Sequence, residues 1–297
     1  MDLENVRIFL DVIKSGSITA AASHHYISQP ALGKRLLALE KELGVELLSR
    51  GKGQAQIKVT PAGKAFTDIA ERMLLLYDQA MAIKNTGNRI YLTAACIRSA
   101  HREVFPPLLT YLKNNYPEIC LTIEDHHTAE IIPLLENHRI DVGITQIPVL
   151  SQGIISELLY EEPYTVILHP DSPYPPDVPL APQKLQVSHG IFQSFDSEFQ
   201  NWFEQNWSIP DLKMRVTSNA TAELYFDEPE DWMIAPLAVA REMRRSGFLS
   251  CPLLAAAPPH RVYLNYNKFS EDSAVRIFIE YTKSLFPKFT LSANDYY

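Results

Sequence analysis

The sequence contains only three cysteines, Cys96, Cys120 and Cys251, and they are far apart along the chain. An odd number at wide spacing argues against a disulfide framework and is typical of reduced thiols in a cytoplasm. Long hydrophobic runs are also lacking, since none approaches the roughly 20 apolar residues that a membrane-spanning helix needs. The N-terminus, MDLENV, is acidic and precedes no long apolar stretch, so a secretory signal is not expected. These features predict a cytoplasmic protein.

Signatures of catalysis are lacking as well: the sequence has no Walker loop, Rossmann fingerprint, nucleophile elbow or HExxH motif. The histidine pairs 24–25 and 126–127 have no further ligands at the spacing of zinc sites. The acidic turn 227–231 offers oxygen ligands, but Pro229 interrupts their spacing, which favours a solvated turn over a divalent ion. We predict no enzyme activity, no cofactor and no metal.

The charge of the chain is unevenly distributed. Its net charge is −8, yet residues 1–60 contain eight basic and six acidic residues, whereas residues 89–297 contain sixteen basic and twenty-six acidic ones. Nucleic-acid binding needs a local basic surface, so only the first sixty residues suit DNA. At 297 residues the chain also exceeds the size that one core normally serves, and two or three domains are expected.

Residues 17–43 predict two short helices joined by a tight bend. Ser28 is a favourable N-cap for the second helix, and Pro30 is tolerated in its first turn. Leucines recur at helical spacing from Leu32 to Leu43, which commits one face to a core. A preceding helix, 3–13, would complete a three-helix core. Ordinary helical hairpins also show such patterns, with their charges simply solvated, but the basic segment that follows favours a DNA-binding unit.

The second helix carries groups that can read DNA. In a helix-turn-helix its N-terminal end meets base edges, where Gln29 can read adenine and Lys34 or Arg35 can reach guanine or phosphate. Two short strands, 47–50 and 56–59, would enclose a basic wing. A helix that begins after Thr60 then presents backbone N–H groups to a phosphate.

The runs GSITAAA, ISQPALGKRL, LEKELGVELLSR and VTPAGKAF, in this order, resemble the N-terminal domain of LysR-type transcriptional regulators. The resemblance covers about the first ninety residues closely and the rest more loosely. It implies a winged helix-turn-helix at 1–60, a linker helix at 61–88 and an effector-binding regulatory domain at 89–297, with operator DNA and a small molecule as partners. The DNA-binding residues that it implies are Thr19, Ser28, Gln29, Pro30, Ala31, Lys34, Arg35, Arg50, Lys52 and Thr60.

Three positions depart from the family's pattern. Gly33 stands where a serine is usual, and it costs helix stability of roughly 0.5–1 kcal/mol relative to alanine. Leu37 and Ala38 stand where polar, often basic, residues are common, which removes two phosphate contacts. We expect an altered sequence preference with DNA binding retained.

The segment from Pro61 to Lys84 predicts one long helix with an apolar seam. Its apolar residues fall at alternating steps of three and four over about 36 Å of helix. Such a seam either pairs two chains or packs on its own chain, and the length of the helix favours a dimer. The resemblance implies antiparallel linker helices in a dimer, often assembled into tetramers. The predicted seam consists of Phe66, Ile69, Met73, Leu76, Ala80 and Ile83.

Beyond Asn88 strands and helices alternate, which predicts an α/β domain with parallel strands and helices on both faces. A second such unit follows the first. Two linked α/β units look like a periplasmic-binding-protein body, which LysR-type regulators carry as their effector domain. We place the subdomains at about 89–160 plus 268–297 and at 161–267.

Ligands of such bodies bind in the cleft, at strand C-termini and helix N-termini. We predict Ser99 and Thr128 to cap two helices there, where family members place effector-binding hydroxyls; plain N-caps are the alternative. Arg98 would pair with a carboxylate, or be solvated or bridge the subdomains. The acids of 227–231 would disfavour an anionic ligand if they faced the cleft. The predicted effector-binding residues are Arg98, Ser99, Thr128, Gln193, Ser194, Phe195, Ser218 and Asn219.

Two other functions stay open at this stage. Cys96 ends a predicted strand near the cleft, so a cysteine-based redox regulator is one alternative. An enzyme that uses the α/β body, with the helix-turn-helix as an appendage, is the other.

Overall fold

The computed structural model describes residues 1–49, 58–86, 89–254 and 257–287, the side chains of residues 75, 79, 82–86 and 219–220 excepted. The chain divides into two compact units, Met1–Arg89 and Ile90–Tyr297. The described helices are α1 (Leu3–Ser15), α2 (Ile18–His24), α3 (Gln29–Leu43), α4 (Pro61–Thr86), α5 (Arg98–Asn115), α6 (Thr128–Glu136), α7 (Ser197–Asn206), α8 (Leu237–Arg245) and α9 (Ser273–Ser284). The described strands are β1 (Leu48–Ser49), β2 (Lys58–Val59), β3 (Ile90–Cys96), β4 (Ile119–Asp125), β5 (Val142–Thr145), β6 (Ile154–Glu162), β7 (Tyr164–Leu168), β8 (Gly190–Phe192), β9 (Met214–Arg215), β10 (Trp232–Pro236), β11 (Leu249–Pro252) and β12 (His260–Asn267).

Polar side chains start α1, α2 and α3 of the first unit. Asp2 accepts a hydrogen bond from Glu4 N, and Ser17 accepts one from Ala20 N. Each N-cap satisfies a backbone donor that the helix cannot pair, which fixes where the helix begins. The apolar faces of the helices then meet in one core, formed by Val6, Ile8, Phe9, Val12, Ala21, Ala22, Leu32, Leu36 and Leu39.

Helix α4 starts inside this core. Phe66 is 7% exposed and its ring lies 5.3 Å from that of Phe9, while Ala70 is fully buried. The prediction that Phe66 belongs to an intermolecular seam is therefore wrong, because its side chain packs within its own unit. The first turns of α4 act as a fourth helix of the DNA-binding unit.

Gly63 permits this packing. A Cβ atom at this position would lie 2.1 Å from the carbonyl oxygen of Leu47, closer than any side chain tolerates. Leu47 leads into β1, which pairs antiparallel with β2 as the predicted wing requires. The described parts of the strands are Leu48–Ser49 and Lys58–Val59, and Arg50, Lys52 and the rest of 50–57 lie outside the described residues.

The second unit contains two five-stranded sheets. The first has the order β4-β3-β5-β12-β6 and the second β11-β7-β10-β8-β9. Strands β3, β4 and β5 are parallel, but β12 runs antiparallel to β5 and β6. In the second sheet β7 is antiparallel to both of its neighbours. The expected parallel sheets are therefore mixed, because the strands that cross between the sheets enter in the reverse direction.

The pairing of β12 also moves a subdomain boundary. The sequence predicts residues 260–267 in the second subdomain, yet β12 lies between β5 and β6 of the first sheet. Subdomain A comprises the first sheet with α5, α6 and α9, and subdomain B the second sheet with α7 and α8. The chain crosses between them at Pro163 and after β11. Strands β6, β8 and β11 were not predicted. No helix among the described residues is long and apolar enough to cross a membrane.

Candidate functional site

The first turn of α3 is open to solvent. Ser28, Gln29 and Pro30 are exposed, and so is Lys34 on the next turn. Ser28 Oγ accepts a hydrogen bond from Ala31 N at 3.4 Å, which fixes the start of the helix. The buried leucines hold the opposite face in the core. The exposed edge thus offers an amide and an ammonium group to a groove, as a recognition helix requires.

The other predicted DNA-binding residues that the structure describes differ in their exposure to solvent. Thr19 is exposed on α2, whereas Ala31 and Arg35 are half-buried. Thr60 Oγ1 donates to Glu46 O at 2.7 Å and accepts from Gly63 N at 2.9 Å. Its hydroxyl thus holds the start of α4 against the preceding segment, which leaves it a positioning role.

A cleft of about 570 Å³ lies between subdomains A and B. Strands β3, β4 and β5 end on one side of it, and β8 and β9 end on the other. Seven of the eight predicted effector-binding residues line it, and the side chain of the eighth, Asn219, lies outside the described set. The lining residues are Arg98, Ser99, Thr128, Gln193, Ser194, Phe195 and Ser218.

Ser99 and Thr128 lie in the first turns of α5 and α6, but neither is the N-cap. The N-cap residues are Ile97 and His127, so both cap predictions are wrong by one or two positions. Both hydroxyls are instead nearly buried at the cleft wall, and Thr128 Oγ1 accepts from Gln146 N at 3.3 Å. Since they do not cap helices, their position at the wall needs another explanation.

Arg98 stands at the mouth of the cleft. Its side chain is half exposed, and Nη2 donates to Asp125 Oδ2 at 3.0 Å. His101 approaches the same carboxylate at 3.7 Å. Asp125 therefore neutralises Arg98, and a ligand carboxylate would have to compete with it.

Subdomain B contributes Gln193, Ser194 and Phe195. Gln193 Oε1 is buried and has no hydrogen-bond partner among the described residues. Ser194 Oγ donates to Gln200 at 3.1 Å. The Phe195 ring packs in the core against Tyr164, so this residue offers the cleft only its backbone.

Gln146, which the sequence analysis missed, bridges the cleft. It follows β5, and its Nε2 donates to the carbonyl of Phe195 on the opposite subdomain. Thr217 also lines the cleft and was missed. Both residues follow strand C-termini, so the rule that selected Ser99 and Thr128 would have found them.

A buried polar chain lies behind Ser99. His260 Nε2 is 3.5 Å from Ser99 Oγ, and His260 Nδ1 is 3.3 Å from Glu162 Oε1. The side chains of His260 and Glu162 are fully buried. Glu162 Oε2 also accepts from Ala238 N in the first turn of α8, where the helix dipole favours a negative charge. Because Glu162 ends β6 just before the crossing at Pro163, this chain connects both subdomains.

The acidic turn lies away from the cleft. It precedes β10, at the end of the sheet opposite to the strand ends that line the cleft, and none of its acids is among the lining residues. Asp227, Glu228 and Glu230 are exposed, but Asp231 is fully buried. The description as a solvated turn is therefore wrong for Asp231.

The three cysteines are free thiols. Burial, and to a lesser degree the charge of Asp125, raises the pKa of Cys96 well above its usual value. Burial also raises the pKa of Cys251 to about 11. A buried thiol with a raised pKa is a poor nucleophile, which disfavours Cys96 as a redox sensor.

Most of the other described side chains of the predicted seam on α4 are exposed to solvent. Ile69 and Leu76 are each more than half exposed, Ala80 is exposed and Met73 is half-buried. The side chain of Ile83 lies outside the described set. Met81, 49% exposed, adds to this apolar surface.

Two family models match the chain. Residues 3–64 match "Bacterial regulatory helix-turn-helix protein, lysR family", and residues 86–287 match "LysR substrate binding domain". The two matches agree with the division into an N-terminal helical unit and a C-terminal unit of two sheets. The chain belongs to the LysR family.

Named relatives of this LysR protein are transcriptional regulators. It is 28% identical over 261 residues to a probable regulator, LrrA, from Synechococcus elongatus, covering 87% of this chain and 83% of the relative. It is 29% identical over 175 residues to BenM from Acinetobacter baylyi, covering 58% and 57% of the two chains. Full-length CbnR, solved in complex with its target DNA, superposes with a TM-score of 0.75 at 22% identity, covering 96% of this chain and 100% of CbnR. That last likeness shows the fold.

The predicted family, fold class and regulatory function are thereby confirmed. This LysR-type transcriptional regulator combines a helix-turn-helix domain, whose partner is operator DNA, with a domain that binds a small effector. The likeness of the second domain to periplasmic binding proteins is one of fold only.

Proposed function

We propose that the regulator reads its operator with the first turn of α3 and holds a small hydroxy or amino carboxylate in the cleft. The proposal of a bound carboxylate rests on the N-termini of α5 and α6, which converge on one cavity. Each helix has a hydroxyl in its first turn. Helix N-termini favour anions, and about 570 Å³ is in the usual range for a small-molecule site.

The donor group of the proposed ligand follows from Gln193. Its buried Oε1 accepts no hydrogen bond from the described residues. A hydroxyl or ammonium group on the ligand would supply one, since a buried acceptor without a donor costs about 1–3 kcal/mol. The acidic turn does not oppose an anion there, because its acids do not line the cleft.

The bridge between Gln146 and Phe195 suggests how the ligand acts. A ligand in the cleft competes for or completes this bridge, and so changes the relative stability of open and closed arrangements of the two subdomains. An effector acts only through such a difference in affinity between two states.

The matched test uses the full-length protein in thermal-shift assays with hydroxy and amino acids, each compared with its neutral carboxamide. A ligand at 100 times its Kd adds about 2.7 kcal/mol of stability. We expect shifts with the acids and none with the amides. Equal shifts with both members of a pair would contradict the proposed carboxylate class.

We propose that the protein acts as a homodimer, or as a tetramer built from two such dimers, in the cytoplasm, where it has access to DNA. The exposed apolar side chains of Ile69, Leu76 and Met81 on α4 support the dimer. A single apolar stripe on a long helix is covered when two copies pair.

One observation favours a second candidate, acyl-ester hydrolysis. Ser99 contacts His260, which in turn contacts Glu162, and this is the arrangement of a nucleophile, a base and an acid that orients the base. His260 is fully buried, however, so it reaches a leaving group only through Ser99. We propose binding without turnover: p-nitrophenyl acetate should be hydrolysed no faster than by Ser99→Ala. A Ser99-dependent burst of p-nitrophenol would establish the hydrolase instead.

A further inference from the structure

A histidine and two carboxylates meet at the N-terminal ends of β8 and β10. His189 precedes β8, and Glu228 and Asp231 belong to the turn that precedes β10. His189 Nδ1 lies 3.1 Å from Glu228 Oε2 and 3.6 Å from Asp231 Oδ1. The three donor atoms all lie within 4.8 Å of one another. This group is at the opposite end of the sheet from the effector cleft.

Hydrogen bonds orient Asp231 through one carboxylate oxygen, Oδ2, and leave Oδ1 without a hydrogen bond from the part of the chain that the structure describes. Its Oδ2 accepts from Lys213 Nζ at 2.6 Å and from the backbone N–H groups of Asp227 and Glu228 at 3.0 and 2.9 Å. Three donors on one oxygen hold the carboxylate in a single orientation. Its Oδ1 then points to His189, as metal ligands do when neighbouring hydrogen bonds orient them.

The atoms that face each other are buried and form no hydrogen bond with the described residues. Asp231 is fully buried, and both Asp231 Oδ1 and His189 Nδ1 lack a hydrogen-bond partner among the described residues. Buried polar atoms are almost always paired, so two unpaired atoms at one point indicate a missing group between them.

The spacing and charge suit a divalent cation. Bonds of about 2.0–2.1 Å at tetrahedral angles place ligand atoms about 3.3–3.4 Å apart, between the two distances measured from His189 Nδ1. Asp227, Glu228 and Asp231 carry three negative charges against one positive charge on Lys213, which leaves these four residues with a net charge of −2. We propose that His189, Glu228 and Asp231 bind one divalent transition-metal ion of the zinc type.

An imidazole with two carboxylates selects this class of ion, because Mg²⁺ and Ca²⁺ prefer oxygen ligands alone. The bound ion joins the 227–231 turn to the segment before β8. Three ligands leave at least one coordination position for water. The ion therefore stabilises subdomain B from the side opposite to the effector cleft.

The test measures zinc bound by the full-length protein after treatment with EDTA and equilibrium dialysis against Zn²⁺. The variants are Glu228→Gln and His189→Gln, and Glu230→Gln is the matched control on the same exposed turn. Glu228 is 55% exposed, so its substitution leaves the fold intact. Wild type and Glu230→Gln should bind one zinc ion per chain more than the two variants, and Mg²⁺ should not compete.

The melting temperature provides the second readout. Zinc should raise it in wild type and in Glu230→Gln, and the zinc concentration for half of this shift should rise at least about tenfold in Glu228→Gln. Loss of a hydrogen bond that orients a metal ligand weakens metal affinity by about 10–100-fold, and loss of the ligand itself weakens it at least as much. Equal zinc content and equal shifts in all four proteins would show that these side chains do not bind the ion.

Discussion

Ser99 Oγ lies 3.5 Å from His260 Nε2, although 161 residues separate the two in the chain. Glu162 contacts the other imidazole nitrogen of His260 and so fixes the orientation of the ring. The Ser99 hydroxyl is therefore positioned by His260 on one side and faces the cleft on the other. A hydroxyl that is positioned in this way loses little entropy when it binds a ligand. The polar contacts of the proposed effector site therefore continue from Ser99 through His260 to Glu162, next to the crossing between the subdomains at Pro163.

Ser99→Ala combined with Thr128→Val should abolish the effector's influence on operator binding and leave binding without effector intact. The two hydroxyls lie in the first turns of α5 and α6 but are not N-caps, so their loss removes ligand contacts rather than helix starts. Operator-binding titrations with an effector found by thermal shift measure the effect. Thr110→Val, on α5 but away from the cleft, is the control, and a normal response in the double variant would place the site elsewhere.

Gln29→Ala should weaken binding to the cognate operator by about 1–3 kcal/mol and leave binding to scrambled DNA nearly unchanged. The amide is exposed at the start of α3 and carries no charge. Lys34→Ala is the matched contrast, since loss of a phosphate contact weakens both complexes alike and lowers the salt slope by about 1. Gel-shift titrations at several salt concentrations distinguish the two patterns. Equal losses for Gln29→Ala on both DNAs would exclude base reading.

Leu76→Glu should convert dimers to monomers and weaken operator binding. Leu76 is 54% exposed on α4, so a glutamate there is tolerated in a monomer but buries a charge in a helix pair. Analytical ultracentrifugation measures the mass. Leu150→Glu, at a side chain that is 95% exposed in the C-terminal unit, controls for added charge. A Leu76→Glu protein that is still dimeric would locate the interface outside this stripe.

Iodoacetamide at pH 8 should label Cys120 in the native protein well before Cys96 and Cys251. Cys120 is half-buried, whereas the other two are buried and have raised pKa values. A raised pKa lowers the thiolate fraction at any given pH, so labelling of Cys251 should increase only toward pH 11. Mass spectrometry of native and denatured samples counts the labels. Rapid native labelling of Cys96 would revive the redox alternative.

Gly63→Ala should destabilise the DNA-binding unit by about 1–3 kcal/mol or more, as overpacking does. The new Cβ would meet a backbone carbonyl, which cannot move aside as a flexible side chain can. Thermal unfolding should show a lower melting temperature, and operator affinity should fall with it. Lys64→Ala, at the next and exposed position, is the control and should melt like wild type.

Local patterns predicted much of the fold. Strand β3 begins and ends where its apolar run does, and α4 follows its helical periodicity to within two residues of the predicted end. The cleft residues were found because strand C-termini collect at one edge of a sheet. The short strands β8 and β11 were missed, since strands of only three or four residues between turns give no periodic signal.

Long-range partners were beyond the reach of these patterns. The side chain of Phe66 fits a dimer seam and an intrachain core equally well by spacing, and only the position of Phe9 decides between them. The His260–Glu162 pair joins residues 98 positions apart, and the placement of β12 in the first sheet creates it. A buried polar pair of this kind leaves no periodic trace in the sequence.

Because α4 is anchored in the helix-turn-helix core, a change in the direction of this helix changes the orientation of the DNA-binding unit. Phe66 and Ala70 fix its first turns, and Arg7 Nη2 reaches Asp78 Oδ1 at 2.7 Å about three turns further on. Over this stretch α4 is fixed to the same core that holds α3. Helix α4 is about 39 Å long, so a tilt of about 10° about its C-terminal end displaces its N-terminal end by about 7 Å. That distance is about two base-pair steps of 3.4 Å, so with α3 reading the operator as proposed, a small change in angle alters which bases this helix can reach.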